Sequence, residues 1–135
     1  MGLNLVGSER LPGMTLNIVD RLERETARKT IENARASFGL KYVDLASALD
    51  IDRRTLLRYR QSMSTPVPDV RDRLEALRQI SYLIDELFVD RNEGLAWLYE
   101  DVPLLQGRRP IDLMRKGELN EVLSILAGLY SGSHY

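Results

Sequence analysis

The residues with the clearest chemical potential are the arginines of a short segment near the middle of the chain. Four arginines fall within eight residues, at positions 53, 54, 58 and 60. On a helix, Arg54, Arg58 and Gln61 project from the same side, and Arg53 lies at the N-terminal end. Arginine and glutamine can form paired hydrogen bonds with guanine and adenine, and both can bind phosphate. The predicted DNA contacts are Arg53, Arg54, Thr55, Arg58 and Gln61; a solvated helix surface is the alternative.

The surrounding sequence predicts a helix-turn-helix that would position these arginines. Ala46 is the small residue expected where two short helices cross, and the run from Leu45 to Tyr59 supplies the inner apolar face. Asp52 is suited to cap the second helix by accepting a backbone hydrogen bond. Asp50 stands where such turns commonly have glycine, which adopts the left-handed conformation more readily.

The apolar spacing along the rest of the chain is helical throughout, so we predict an all-α fold. Residues 1–13 are expected to form a flexible N-terminal tail, residues 14–64 a helix-turn-helix domain and residues 69–135 a second helical domain. A linker with two prolines, Pro66 and Pro68, separates the two domains. The predicted helices are 15–38, 42–50, 53–62, 69–89, 93–99, a turn or two from 110, and 118–130.

Composition narrows the function classes. The chain has 135 residues and no cysteine, which excludes disulfides and thiolate metal sites. Its apolar runs are too short to span a membrane, and its first residues do not resemble a secretory signal, so a cytoplasmic location is expected. Residues 1–64 carry 11 basic and 8 acidic side chains, whereas residues 65–135 carry 8 and 12. This uneven charge is compatible with different partners at the two ends.

Catalysis is not expected from these residues. His134 is the only histidine, no His/Glu set has metal-ligand spacing, and no glycine-rich phosphate loop is present. The adjacent acidic pairs, such as Asp85-Glu86, are typical of exposed helix ends. The sequence therefore predicts a protein that is not an enzyme and needs neither a metal nor another cofactor.

The C-terminal third carries several motifs in a distinctive order. A Trp97-Leu98 helix is followed by Leu105-Gln106-Gly107, by Pro110-Ile111-Asp112-Leu113, and by a Gly117-Glu118 step into a last helix with a glycine near its end. This order resembles the toxin-binding domain of the Xre/MbcA/ParS antitoxin family. The recognition-helix sequence Arg53-Arg54-Thr55-Leu56, followed by Arg58, is also similar, so the resemblance covers about residues 40–135.

The resemblance implies an antitoxin of a type II toxin–antitoxin system. Members of that family neutralise a RES-domain toxin, an enzyme that consumes NAD or uses it to modify targets. They usually dimerise, and their helix-turn-helix can repress their own operon by binding operator DNA. The C-terminal region covers or enters the toxin's active-site cleft.

Residues carried over from the resemblance form a candidate toxin-binding set. Pro110, Leu113 and Gly117 also match the motif but are explained most simply as helix punctuation or core, and core packing is the alternative for Trp97. The basic residues could approach a NAD-phosphate site or an acidic rim on the toxin, and their alternative is a solvated turn. The predicted set is Trp97, Leu105, Arg108, Arg109, Arg115, Lys116, Gly132, His134 and Tyr135.

Two other functions remain open at this point. One is a stand-alone transcriptional regulator whose C-terminal domain only oligomerises. The other is a toxin-binding protein whose helix-turn-helix has lost DNA binding and serves as a scaffold; the acidic total and Asp50 motivate it.

Overall fold

The computed structural model describes the backbone of residues 12–132 and the side chains of residues 17–132. Within that range, the chain forms seven α-helices and one short 3₁₀ turn, and no β-strand. The all-α prediction is confirmed. The helices are α1 (Pro12–Phe38), α2 (Tyr42–Leu49), α3 (Arg53–Arg60), α4 (Pro68–Leu87), α5 (Arg91–Leu98), α6 (Pro110–Arg115) and α7 (Leu119–Ser131), with the 3₁₀ turn at Pro103–Leu105.

The first helix begins earlier than the sequence indicated. It starts at Pro12 instead of near Thr15, so Pro12 and Gly13 are helical and the prediction of a tail reaching residue 13 is wrong for these two positions. Proline is tolerated in the first turn of a helix, because the amide hydrogen that it lacks would have no partner there. The rest of the predicted tail, residues 1–11, lies outside the described residues.

Helix α4 is the central element of the fold. It packs against α1, α5 and α7, and also contacts α2. Its buried positions recur at three- and four-residue steps, which gives one broad apolar stripe. That stripe consists of Val70, Leu74, Ala76, Leu77, Ile80, Leu83 and Ile84.

The two segments predicted as domains share a single hydrophobic core. Phe38 and Leu49 from the N-terminal segment belong to the same cluster of buried residues as Met114 and Leu126 from the C-terminal segment. The linker between α3 and α4 therefore joins two parts of one packed unit.

A close approach between the turn after α6 and the end of α2 strengthens this joint. Gly117 has a φ of +83°, and a Cβ added there would lie 3.4 Å from the carbonyl oxygen of Ala48. The Ser47 hydroxyl donates a hydrogen bond to the backbone oxygen of Arg115 in the same region. Glycine at position 117 thus permits both the left-handed backbone and the tight contact.

Candidate functional site

The turn between α2 and α3 contains Asp52, and the prediction that Asp52 caps α3 is confirmed. The Asp52 carboxylate accepts a hydrogen bond from the Thr55 amide at 2.7 Å, which caps α3. Hydrogen bonds from the Thr55 side chain and backbone lower the pKa of Asp52. Asp50 adopts a left-handed conformation with φ of 57°, one of the few places where a non-glycine residue does so. Thr55 is half-buried and bonds to the capping carboxylate of Asp52.

A cluster around Tyr42 fixes α3 against α1 and α2. The Arg60 guanidinium lies 3.6 Å from the centre of the Tyr42 ring, and its Nε donates to Glu32 at 3.1 Å. The Tyr42 hydroxyl donates to the other Glu32 oxygen at 2.8 Å. Partial burial raises the pKa of Glu32, but these hydrogen bonds and the nearby arginines outweigh it and leave the pKa below its ordinary value. Arg60 therefore has a structural role, because its guanidinium contacts Glu32 and Tyr42.

The outward side of α3, away from the buried Leu56 and Tyr59, presents a surface here called the arginine face: Arg53, Arg54, Leu57, Arg58 and Gln61. All five side chains are exposed. Arg53 and Arg54 form no ion pair with any other residue between 17 and 132. Arg58 donates to the Ser64 hydroxyl, a neutral partner, at 2.7 Å. The structure brings together four of the five predicted DNA contacts, and only Thr55 departs from them.

Two exposed apolar residues near this face were missed by the sequence reasoning. Leu57 is 46% exposed, and Val43 on α2 is 57% exposed. They line one shallow groove together with Arg53, Arg54 and Arg60. Helical geometry could have revealed Leu57, because it lies four residues from both Arg53 and Gln61 and hence on their side of the helix.

The predicted basic residues of the C-terminal third are largely paired within the chain. Arg108 donates to the Leu105 carbonyl at 2.8 Å and to Glu121 at 2.7 Å. Arg109 makes two hydrogen bonds with Asp112, at 2.8 and 2.9 Å. These bonds raise the pKa of Arg109 and lower that of Asp112.

Arg115 links the C-terminal region to α2. Its guanidinium lies 3.7 Å from Asp44 and 3.4 Å from Asp112. It also lies 6.0 Å from the centre of the Tyr99 ring. Of the four predicted basic contacts, Lys116 alone is exposed without an ion pair inside the described range.

The remaining predicted toxin contacts fall into different environments. Leu105 is only 2% exposed and belongs to the core, so we withdraw it from the candidate surface. Trp97 is half-buried, packed on the core with its ring centre 6.2 Å from that of Phe88. Gly132 ends α7 with a left-handed φ of 72°. His134 and Tyr135 lie outside the described residues.

A set of exposed apolar side chains in the C-terminal half was not singled out from the sequence. Tyr82 on α4 and Tyr130 on α7 are neighbours. The pKa of Tyr82 is raised, first by the Glu86 carboxylate and second by Tyr130. Leu129 is also exposed beside Tyr130. The sequence signal for these residues was that α7 continues past Leu126, its last buried residue, to two further apolar residues, Leu129 and Tyr130. We call Tyr82, Leu129 and Tyr130 the tyrosine patch.

Within the described residues there is neither a candidate metal centre nor a membrane-spanning helix. Across residues 17–132, no group of three histidine, cysteine or acidic side chains could hold a metal ion. None of the helices in the described part of the chain is long and apolar enough to cross a lipid bilayer. The surfaces that stand out are the arginine face and the tyrosine patch.

Known proteins are similar to this chain in sequence over most of its length. The probable mycobacterial cidal antitoxin Rv3188 of Mycobacterium tuberculosis (strain ATCC 25618 / H37Rv) is 29% identical over 113 residues, covering 84% of this chain and 96% of that protein. The mycobacterial cidal antitoxin MbcA of Mycobacterium bovis is 26% identical over 103 residues, covering 76% and 90%.

The chain is similar to mycobacterial cidal antitoxins. A solved chain from the crystal structure of the M. tuberculosis MbcT–MbcA toxin–antitoxin complex superposes with a TM-score of 0.57 at 25% identity. The match covers 80% of this chain and 96% of that one. No protein-family model matches the sequence.

Proposed function

We propose that this protein is an antitoxin that binds and neutralises a partner toxin protein. The observation that carries the proposal is its similarity to a chain of a solved toxin–antitoxin complex, which covers 80% of this chain and 96% of the other. Two antitoxins related in sequence support it, again over most of their length. A match of this extent supports a shared role for the whole chain.

The C-terminal half is the region that we propose for toxin binding. Tyrosine side chains contribute strongly to protein interfaces, because they bury large rigid surfaces and keep a polar group for hydrogen bonding. The exposed tyrosine patch has this character, and Lys116 supplies an unpaired cation on the turn after α6. Trp97, Gly132, His134 and Tyr135 remain proposed contacts from the sequence resemblance.

We further propose that the toxin is a RES-domain protein that consumes NAD. This part rests on the resemblance of the C-terminal motifs, from Trp97 to Gly132, to the Xre/MbcA/ParS family. In this proposal the antitoxin acts by covering the toxin's active-site cleft and performs no reaction itself.

Co-expression tests the neutralisation. The open reading frame next to this gene is expressed alone and with this chain, each from an unrelated inducible promoter. We expect arrested growth and falling cellular NAD with the neighbour alone, and recovery of both with this chain. A neighbour that does not harm growth, or growth that this chain fails to restore, would contradict the proposal. Arrest with unchanged NAD would contradict the RES assignment only.

A matched pair of variants locates the toxin-binding surface. Tyr130→Glu adds a charge to the tyrosine patch and should reduce both rescue and co-purification of the toxin by tenfold or more, as expected when an interface anchor is lost. Met63→Glu alters a similarly exposed apolar residue next to α3 and should leave both intact. Equal behaviour of the two variants would place toxin binding elsewhere.

We also propose that the protein binds operator DNA through the arginine face and thereby represses its own operon. The supporting observations are the exposed Arg53 and Arg54 without internal ion pairs and the capped, anchored α3 helix. Helix-turn-helix proteins usually bind their operator sites as dimers. A homodimer is part of the proposal, and its stoichiometry in the toxin complex is measured by light scattering.

A stand-alone regulator whose C-terminal half only oligomerises is the second candidate, favoured specifically by the arginine face. Specific binding to its own promoter, together with no toxin captured in a pull-down, would support it over the antitoxin. Conversely, toxin rescue without any specific DNA binding would favour a scaffold role for the helix–turn–helix segment.

A further inference from the structure

A leucine lies at the centre of the arginine face. Leu57 is one turn away from Arg53 on one side and from Gln61 on the other, and its side chain is 46% exposed. Leu56, the preceding residue, is buried and supplies the inward contact of this turn of α3. The fold therefore gains little from an apolar side chain at position 57, which points to a ligand.

The surroundings of Leu57 limit the chemistry of that ligand. Val43 adds a second exposed apolar side chain in the same groove, and the walls of the groove carry the guanidinium groups of Arg53, Arg54 and Arg60. Arg60 is already bound to Glu32, whereas Arg53 and Arg54 pair with no carboxylate among residues 17–132. A fitting ligand presents a small apolar group between anionic or hydrogen-bond-accepting groups.

Duplex DNA offers this combination at thymine. In the major groove, thymine is the base that carries a C5 methyl group. A neighbouring guanine presents its N7 and O6 acceptors there, and phosphates lie along both edges of the groove. An acidic protein surface offers carboxylates with apolar neighbours as well. The narrow apolar patch, two side chains wide and bordered by cations, favours a single methyl group over the broader apolar area of a protein interface.

We propose that Leu57 is a specificity-determining residue that contacts the C5 methyl group of a thymine in the operator, with Val43 closing the same apolar pocket. This inference rests on the proposed DNA binding. In this arrangement Arg53 and Arg54 supply affinity and contact guanine or phosphate, while Leu57 selects thymine over cytosine at one position of each half-site.

Removing the methyl group from the DNA tests this contact. The full-length protein is footprinted on its own promoter, and each thymine of the protected duplex is then replaced singly by uracil, which keeps base pairing and lacks the methyl group. We expect one replacement per half-site to weaken binding about 3- to 10-fold, in line with the loss of one buried methyl contact. Replacements elsewhere should have no effect.

The variant Leu57→Ala completes the cycle. It should bind the thymine duplex about 3- to 10-fold more weakly than the wild-type protein does. The variant should bind the critical uracil duplex as well as it binds the thymine duplex, because the contact with the methyl group is already absent. Leu104→Ala removes an equally exposed leucine far along the chain and should retain the full thymine–uracil difference.

The outcomes separate this inference from the proposed DNA binding. If the wild-type protein binds the operator yet no uracil replacement matters, or if Leu57→Ala keeps the thymine preference, the inference is overturned and DNA binding stands. If the protein binds no promoter duplex specifically, both fall. Loss of toxin co-purification in Leu57→Ala, with operator affinity unchanged, would assign the pocket to a protein partner and overturn the inference.

Discussion

Two groups of arginines in this molecule differ in whether carboxylates of the same chain pair with them. Arg53 and Arg54 on α3 are exposed and form no ion pair among residues 17–132. Arg108 and Arg109 near α6 are held by carboxylates of the same chain, Glu121 and Asp112. The sequence around both groups is rich in arginine, and only their neighbours in space differ.

The comparison indicates which surface can attract a polyanion. An arginine that already has a carboxylate partner presents little net charge, and a new partner must first displace the old one. In the proposed function, the α3 arginines that have no carboxylate partner among residues 17–132 bind DNA phosphates and bases. In the C-terminal half, the paired arginines instead hold the turns around α6, and the apolar tyrosine patch is the surface that we propose for a protein partner.

The largest expected effect concerns the core that the two regions share. Met114 on α6 is fully buried, and Met114→Ala should destabilise the protein by about 2–5 kcal/mol, because the side-chain contacts are lost and a cavity remains. Since the core is continuous, we expect one cooperative thermal transition at a lower temperature, with residues 42–60 unfolding in the same step. Circular dichroism at 222 nm and hydrogen exchange measure this.

Leu104→Ala is the control for that prediction. Leu104 is 53% exposed, and surface substitutions usually change stability by less than about 0.5 kcal/mol. Two separate transitions in Met114→Ala, with residues 42–60 still protected from exchange after the first, would show that the two regions fold independently.

The next effect tests the comparison of arginines directly. Arg54→Ala should weaken operator binding by about 1–3 kcal/mol and reduce its dependence on salt, because an unpaired cation facing DNA is removed. Arg109→Ala removes the same charge from a paired site and should leave operator affinity within twofold. Fluorescence anisotropy at several salt concentrations measures both variants. Similar losses in the two would mean that total charge, not pairing, determines binding.

The smallest effect concerns Arg60, the one arginine of α3 that is paired like those near α6. Its partner Glu32 has a lowered pKa, so Glu32 stabilises the fold above its ordinary pKa of 4.5. That contribution is lost as the pH falls below 4.5 and Glu32 becomes protonated. Glu32→Gln should therefore lower stability at pH 7 by less than about 1 kcal/mol and flatten the pH dependence below 4.5.

Urea unfolding of both proteins at pH 7 and in steps below pH 4.5 measures this. The wild-type and Glu32→Gln curves should converge at the acidic end. Parallel curves for wild type and Glu32→Gln would contradict a stabilising role for ionised Glu32.

Much of the fold was predictable because its signals are local. Apolar residues at three- and four-residue steps predicted the helices in their correct order, and Asp52 predicted the start of α3 through its capping chemistry. The candidate site was less predictable. Thr55 was assigned to DNA although it serves the cap, and Leu105 was assigned to the toxin although it lies in the core.

The sequence by itself determined which segments are helical and which side of α3 is polar, because both follow from the helical repeat and from residues within one or two turns. Only the tertiary structure decided which of the described arginines have a carboxylate partner, because Arg108 meets Glu121 on α7 and Arg115 meets Asp44 from a distant part of the chain. The tertiary structure also decided that Leu57 stays exposed, since neighbouring helices cover Leu56 and leave the next side chain to solvent. Pairing and burial depend on contacts between elements, and a helical repeat carries no information about them.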